Sequence, residues 1–177
     1  IENGFLRPVF EAVRATPCHI SNYVAYLSTA VNMGRVIGEP SWVHWAVRWI
    51  GENVNAGCFY DGMWHESPSY HYMTVGGVRR CFASVRGYSD PPGYVDAVDG
   101  KRFDDFDPDR EFPFWARVQH APEALDFPTG CSTVVHDTWS NQGRSEPREA
   151  TRSAILPGFG HASLGRGTGP NQLQAQL

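Results

Sequence analysis

Apolar residues recur at helical spacing through the first half of the chain, and the recurrence breaks wherever helix-ending or helix-starting residues occur. Phe5, Leu6, Val9, Phe10 and Val13 form one stripe, closed by Pro17, and predict a short helix over residues 5–15. Ser21-Asn22 precedes a second stripe of Tyr23, Leu27, Ala30, Val31 and Val36, ended by Gly38-Glu39-Pro40. In the third, Trp42, Val43, Trp45, Ala46, Trp49 and Ile50 make a band wide enough for burial on more than one side, before Asn55-Ala56-Gly57 stops it. A fourth helix is predicted from Pro68 to about Val85, with Gly76-Gly77 in its middle. Two glycines there cost about 1 kcal/mol each relative to alanine, which predicts close approach by a neighbouring helix. Four helices joined by short loops predict antiparallel helical hairpins.

After Arg86 the pattern changes. Ser89-Asp90-Pro91-Pro92-Gly93 and Asp99-Gly100 are turn chemistry, and one short helix is predicted around residues 114–119. The run Asp104, Asp105, Asp107, Asp109 lacks the glycine and closing glutamate of an EF-hand loop, so it reads as a solvated face. Residues 140–153 read as a polar linker. Beyond them, residues 155–167 and 172–177 predict two strands around a Gly-rich turn. Helices followed by strands predict a mainly α chain, with a helical domain over residues 1–150 and the start of a β domain over 151–177.

With 177 residues, 41% apolar and 13% aromatic, the chain can bury one sizeable core, or one domain and part of another. A net charge of -4 offers no basic excess, which argues against nucleic acid as a partner. Cys18, Cys58, Cys81 and Cys131 lie far apart with no C-x-x-C pair, so neither a zinc knuckle nor a disulfide framework is signalled, and the sequence names no metal ligands. No run has the length of a membrane span, and no signal peptide opens the chain. Ile1-Glu2-Asn3-Gly4-Phe5 and the alternating residues 171–177 read as interrupted elements, so both ends read as cut.

Reactive groups concentrate in Asp61-Gly62-Met63-Trp64-His65-Glu66-Ser67-Pro68-Ser69-Tyr70-His71. Ser67 suits the N-cap and Pro68 the first helical position, where its missing N–H costs nothing. Tyr70 then falls in the first turn, where free N–H groups and the helix dipole favour negative charge and ease ionisation of a phenol whose reference pKa is about 10. A core aromatic with a satisfied hydroxyl fits the same spacing. Asn22 precedes a helix two helices earlier. Alternate helices of antiparallel hairpins start at the same end, so both residues are expected to face one cleft.

An amide beside a phenol suits removal of a proton alpha to a carboxylate. The amide hydrogen-bonds the carboxylate and spreads the charge of the enolate-like transition state. The phenolate takes the proton, and the tyrosine then donates to the leaving glycosidic oxygen. The outcome is β-elimination to an unsaturated uronate.

In Ser21-Asn22-Tyr23, in residues 61–71 and in Leu156-Pro157-Gly158-Phe159-Gly160-His161-Ala162-Ser163-Leu164, the chain resembles the heparinase II/III-like polysaccharide lyases, including oligoalginate lyase relatives. The resemblance implies part of an incomplete (α/α) toroid followed by the first strands of an antiparallel β-sandwich domain. It implies an acidic poly- or oligosaccharide substrate and a periplasmic or extracellular location. Asn22 matches the residue that neutralises the uronate carboxylate, and Tyr70 the catalytic tyrosine. The chain has Tyr23 where some branches place a second histidine base. The His-rich segment of the family's β domain, with a catalytic histidine and in some members a structural zinc, would follow Leu177. His161 precedes it and is not given that role, no cofactor is implied within these residues, and this piece alone is expected to have little activity.

Tyr23, Trp64, Glu66, His71 and His136 are the substrate-binding candidates. Trp64 reads equally as sugar platform or core, and Glu66 and His71 as support for Tyr70. Residues His136-Asp137-Thr138-Trp139 read as a loop lining a cleft. Arg79, Arg80 and Arg86 read as solvated helix-surface residues that could also steer an acidic polymer. Two other readings use the same residues: a toroid glycoside hydrolase with Glu66 and Asp137 as its carboxylates, and a noncatalytic glycan-binding protein.

Overall fold

Proline opens both long helices whose starts matter most. In the computed structural model, which describes residues 1–139 and 153–177, Pro40 begins α3 (Pro40–Asn55) and Pro68 begins α4 (Pro68–Val85). The remaining helices are α1 (Arg7–Arg14), α2 (Tyr26–Ile37), α5 (Pro108–Glu111) and α6 (Trp115–Val118). Three strands follow, β1 (Ala154–Leu156), β2 (His161–Arg166) and β3 (Leu173–Gln176). The described chain is thus mainly helical, with a small antiparallel sheet of order β1-β2-β3 at its C-terminal end. None of its described helices is long and apolar enough to cross a membrane.

The contacts divide the chain into two compact units, residues 1–56 with 76–113 and residues 57–75 with 114–177. In the first unit α3 is the buried centre. Trp42, Val43, His44, Ala46, Val47, Ile50, Asn53 and Val54 are all enclosed, while Trp45 and Trp49 are half-buried at the edge of that core. Phe10 of α1 stacks on Trp42 with ring centroids 3.9 Å apart. The first stripe differs from its sequence reading. A π-helical turn (Glu2–Leu6) precedes α1, Phe5 and Val9 are exposed, and Phe10 is the one member of the stripe that is fully buried. Helix α2 begins at Tyr26, leaving Tyr23 in the preceding turn, and Val36 is 81% exposed.

The two glycines of α4 have different environments. A Cβ on Gly77 would sit 2.6 Å from Val24 Cγ1 and 3.0 Å from the Ala25 backbone nitrogen. The close neighbour is the turn before α2, not a helix as the pattern implied. A Cβ on exposed Gly76 would meet nothing within 4 Å. Gly77→Ala should therefore destabilise the protein by about 1–3 kcal/mol through overpacking, while Gly76→Ala should be neutral or stabilise it by up to about 1 kcal/mol through helix propensity. Urea melts of the two variants check this, and the expected result is opposite shifts in midpoint.

Half of the acidic run is paired to one arginine. Arg86 pairs with Asp107 at 2.8 Å and Asp109 at 2.5 Å, and Ser89 donates to Asp104. Its end is helical where the sequence reading had loop: Asp107 accepts from the Asp109 N–H and Pro108 opens α5.

In the second unit Met63, Ala121, Leu125, Leu156 and Phe159 form a core, flanked by Phe59 and Val135. The sheet has three strands where two were expected, with Leu156 paired to His161 and Ser163 to Gln176. His161 Nε2 donates to Gln176 Oε1 (2.8 Å), which fixes it within the sheet. These strands share their compact unit with residues 57–75 and 114–139. The linker expected over residues 140–153, and the domain boundary placed within it, lie outside the described residues except for Ser153.

Candidate functional site

The start of α4 is built by its own sequence. Ser67 is buried, and its hydroxyl accepts the Tyr70 N–H at 3.4 Å while donating to the Asp137 carbonyl at 3.1 Å. Ser69 Oγ accepts the Trp139 N–H at 2.9 Å. One serine caps the helix and both tie the loop of residues 136–139 to its first turn, where Tyr70 stands half-buried. His136 on that loop is exposed, holds a left-handed backbone (φ 51°) and packs edge-on to Phe159 at 5.0 Å. Asp137 is exposed and Trp139 is 53% exposed.

Residues 61–65 lie beneath this helix start. Asp61, itself buried, accepts the Met63 N–H at 3.2 Å through Oδ1 and the Phe159 N–H at 2.9 Å through Oδ2. A Cβ on Gly158 would sit 2.9 Å from Asp61 Oδ2 and 3.0 Å from Phe59 Cβ, so only glycine lets the two segments approach this closely. Asp61 and Gly158 thereby join the tyrosine-bearing segment to the Pro-Gly-Phe-Gly-His turn between β1 and β2.

Two of the binding candidates are corrected by their burial. Trp64 is 1% exposed, with its backbone N–H on His71 Nδ1 (2.9 Å) and its indole N–H on Glu66 Oε2 (2.7 Å), so it is core and offers no face to a sugar. His71 is fully buried and uses both ring nitrogens. Because Nδ1 accepts from Trp64, the proton sits on Nε2, which donates to the Val118 carbonyl at 2.8 Å. His71 therefore positions the segment around Tyr70 and does not touch substrate. Glu66 is exposed beside the helix start, held by the Trp64 indole.

Burial pushes the His71 pKa down to about 4. An unfolded histidine titrates near 6.5, so between pH 6.5 and about 4 the unfolded chain binds a proton that the folded chain refuses. The stabilisation from keeping this ring neutral is complete above pH 6.5 and is lost on acidification through that window, by roughly 3 kcal/mol at most. Urea melts at pH 7 and pH 4.5 should show that drop, and His71→Gln, which cannot titrate, should flatten it.

Asn22 and Tyr23 belong to the first unit, in the turn before α2. Asn53, fully buried on α3, organises that turn. It accepts the Ser21 N–H at 2.9 Å and donates to the His19 carbonyl at 2.8 Å. Tyr23 donates its N–H to Ser21 Oγ and is 69% exposed, while Asn22 is half-buried. The four cysteines are free thiols, and burial is the main cause that pushes Cys58 and Cys81 up to about 12, which keeps them neutral and poor nucleophiles.

No protein-family model, curated protein or solved structure matches this chain. The site is therefore read from its own chemistry. Sequence reasoning placed the helix start at Pro68, where the structure has it, but missed Asn53 and the joining role of Asp61. The signal for Asp61 was an acid in an otherwise apolar, buried segment. For Asn53 it was a polar residue in the last turn of a helix whose other members are core.

Proposed function

We propose that this chain is part of a polysaccharide lyase that cleaves a uronate-containing glycan by β-elimination, within an incomplete (α/α) toroid followed by the first strands of a β-sandwich. Tyr70 is the base that removes the proton alpha to the uronate carboxylate and the acid that protonates the leaving oxygen. Asn22 neutralises the carboxylate. The observation that carries this reading is the tyrosine in the first turn of a capped helix, with the exposed loop of His136 and Trp139 hydrogen-bonded to that same turn. His136, Glu66 and Tyr23 are accessible enough to contact sugar hydroxyls. Periplasmic or extracellular action on an acidic polysaccharide rests on the resemblance alone.

One observation favours a second reading. The Ser67 hydroxyl donates to the Asp137 backbone carbonyl, so the Asp137 backbone lies beside the residue that follows Glu66, and both acids are exposed; a glycoside hydrolase uses such a pair of carboxylates. The full-length protein, incubated with alginate, hyaluronan and heparan-type polymers, separates the two. Elimination yields a conjugated unsaturated uronate with ultraviolet absorbance, and that is the expected product. Reducing ends without absorbance, abolished by Glu66→Gln and Asp137→Asn, would establish the hydrolase. No cleavage of any uronate polymer would leave a glycan-binding protein.

A further inference from the structure

His44 of α3 is fully enclosed, and its ring is fixed. It stacks on Phe103 with centroids 3.8 Å apart and planes 1° from parallel. Its Nε2 donates to Asp90 Oδ2 at 2.9 Å, which leaves Nδ1 as the nitrogen with the bare lone pair. Nδ1 is buried and has no hydrogen-bond partner. Asp96 Oδ2 lies 4.0 Å from it, and one ligand atom each from His44, Asp96 and Asp99 lie within 4.8 Å of one another. A lone pair set among carboxylate oxygens is repelled by them unless something positive lies between.

The neighbouring positive charge does not fill that place. Arg48 donates to Asp96 Oδ1 at 2.9 Å and is 3.9 Å from Asp99 Oδ2, whereas the oxygen of Asp96 nearest His44 is Oδ2. Lys101 uses its ammonium on Glu111. Asp90, Asp96 and Asp99 outnumber Arg48 around the imidazole, and Lys101, paired to Glu111, reaches Asp99 only through space. Tyr94 and the Val98 N–H donate to Asp96, and the Lys101 N–H donates to Asp99, so both carboxylates are oriented before any ion arrives.

We propose that His44 Nδ1, Asp96 and Asp99 bind a divalent first-row transition ion. Asp90 is the outer carboxylate that fixes the imidazole tautomer, an arrangement common around metal-bound histidines. One nitrogen and two carboxylate oxygens suit zinc, cobalt or manganese, with water completing the shell. Two donors each about 2.1 Å from one ion lie at most about 4.2 Å apart. The His44–Asp96 pair already meets that limit, and the widest pair closes by a small movement of Asp99, the ligand whose side chain retains access to solvent. Binding would clamp the loop that carries Asp96 and Asp99 onto α3.

The test is zinc binding by the chelator-stripped chain. The expected result is about one zinc retained per chain after dialysis and a raised melting temperature. Asp99→Asn should weaken binding at least 10-fold while leaving the metal-free melting temperature unchanged, because its side chain is partly exposed. His44→Gln should abolish binding. Cobalt substitution should give no thiolate charge-transfer band, which excludes capture by exposed Cys18. Failure to retain zinc or raise the melting temperature in excess zinc would overturn the proposal. So would wild-type affinity in Asp99→Asn, a thiolate band, or nuclear magnetic resonance showing His44 protonated on both nitrogens at neutral pH, since an imidazolium between Asp90 and Asp96 needs no metal. If His44→Gln does not fold, the Asp99→Asn affinity and the cobalt spectrum decide.

Discussion

Tyr70→Phe in the full-length protein should lower kcat by roughly 10²–10⁴-fold and leave substrate binding nearly unchanged. The ring keeps its packing in the first turn of α4, and only the hydroxyl is lost. A base and acid used in the transition state contributes to kcat, whereas a residue that merely grips the substrate would raise KM. Asn22→Ala should also cost about 10²-fold, because a carboxylate hydrogen bond matters most when enolate-like charge develops. Steady-state rates from unsaturated uronate absorbance give both parameters. A Tyr70→Phe enzyme with near-normal kcat would remove the tyrosine from the chemistry.

Asp61→Ala should destabilise the protein by about 2–4 kcal/mol. Its buried carboxylate accepts two backbone N–H groups, from Met63 and from Phe159, and alanine leaves both without that partner. Hydrogen bonds to a charged acceptor contribute about 1.5–3 kcal/mol each, partly offset because the variant need not desolvate a carboxylate. Asp61→Asn keeps one acceptor oxygen and should fall between the two. Urea unfolding of the three proteins orders them, and equal midpoints would show that this bridge contributes nothing. Since the same carboxylate holds the segment leading to Tyr70 against the β1–β2 turn, the alanine variant should also lose activity at temperatures well below its melting point.

What could be read from the sequence was local. Ser67 before Pro68 specifies a capped helix start through interactions within four residues, and the cap is there. The width of the α3 band specifies burial on several sides, and Trp42, Val43, Ala46 and Ile50 are enclosed while Trp45 and Trp49 are half-buried. The glycine pair of α4 pointed to close packing, but a sequence cannot say which glycine or against what, and only Gly77 is approached. Asp107-Pro108 carries the same cap chemistry as Ser67-Pro68, but the run of acids around it masks the signal.

The rest depended on contacts between distant residues. Asp61 and Phe159 meet across 98 positions, and Asn53 reaches Ser21 across 32. Neither pairing leaves a periodic trace. Trp64 and His71 show the opposite error. A tryptophan and a histidine beside a candidate catalytic tyrosine look like substrate contacts, yet they hydrogen-bond to each other and lie in the core. His136 and Trp139, on the loop tied to the first turn of α4, are instead exposed.

Whether the full-length protein eliminates or hydrolyses is settled most directly by cleaving a uronate polymer in heavy-oxygen water and weighing the products. Elimination consumes no water, so the product ends should carry no heavy oxygen and one end of each cut should hold the unsaturated uronate. Incorporation of one heavy oxygen per cut, with saturated ends throughout, would contradict the account and assign the reaction to two carboxylates.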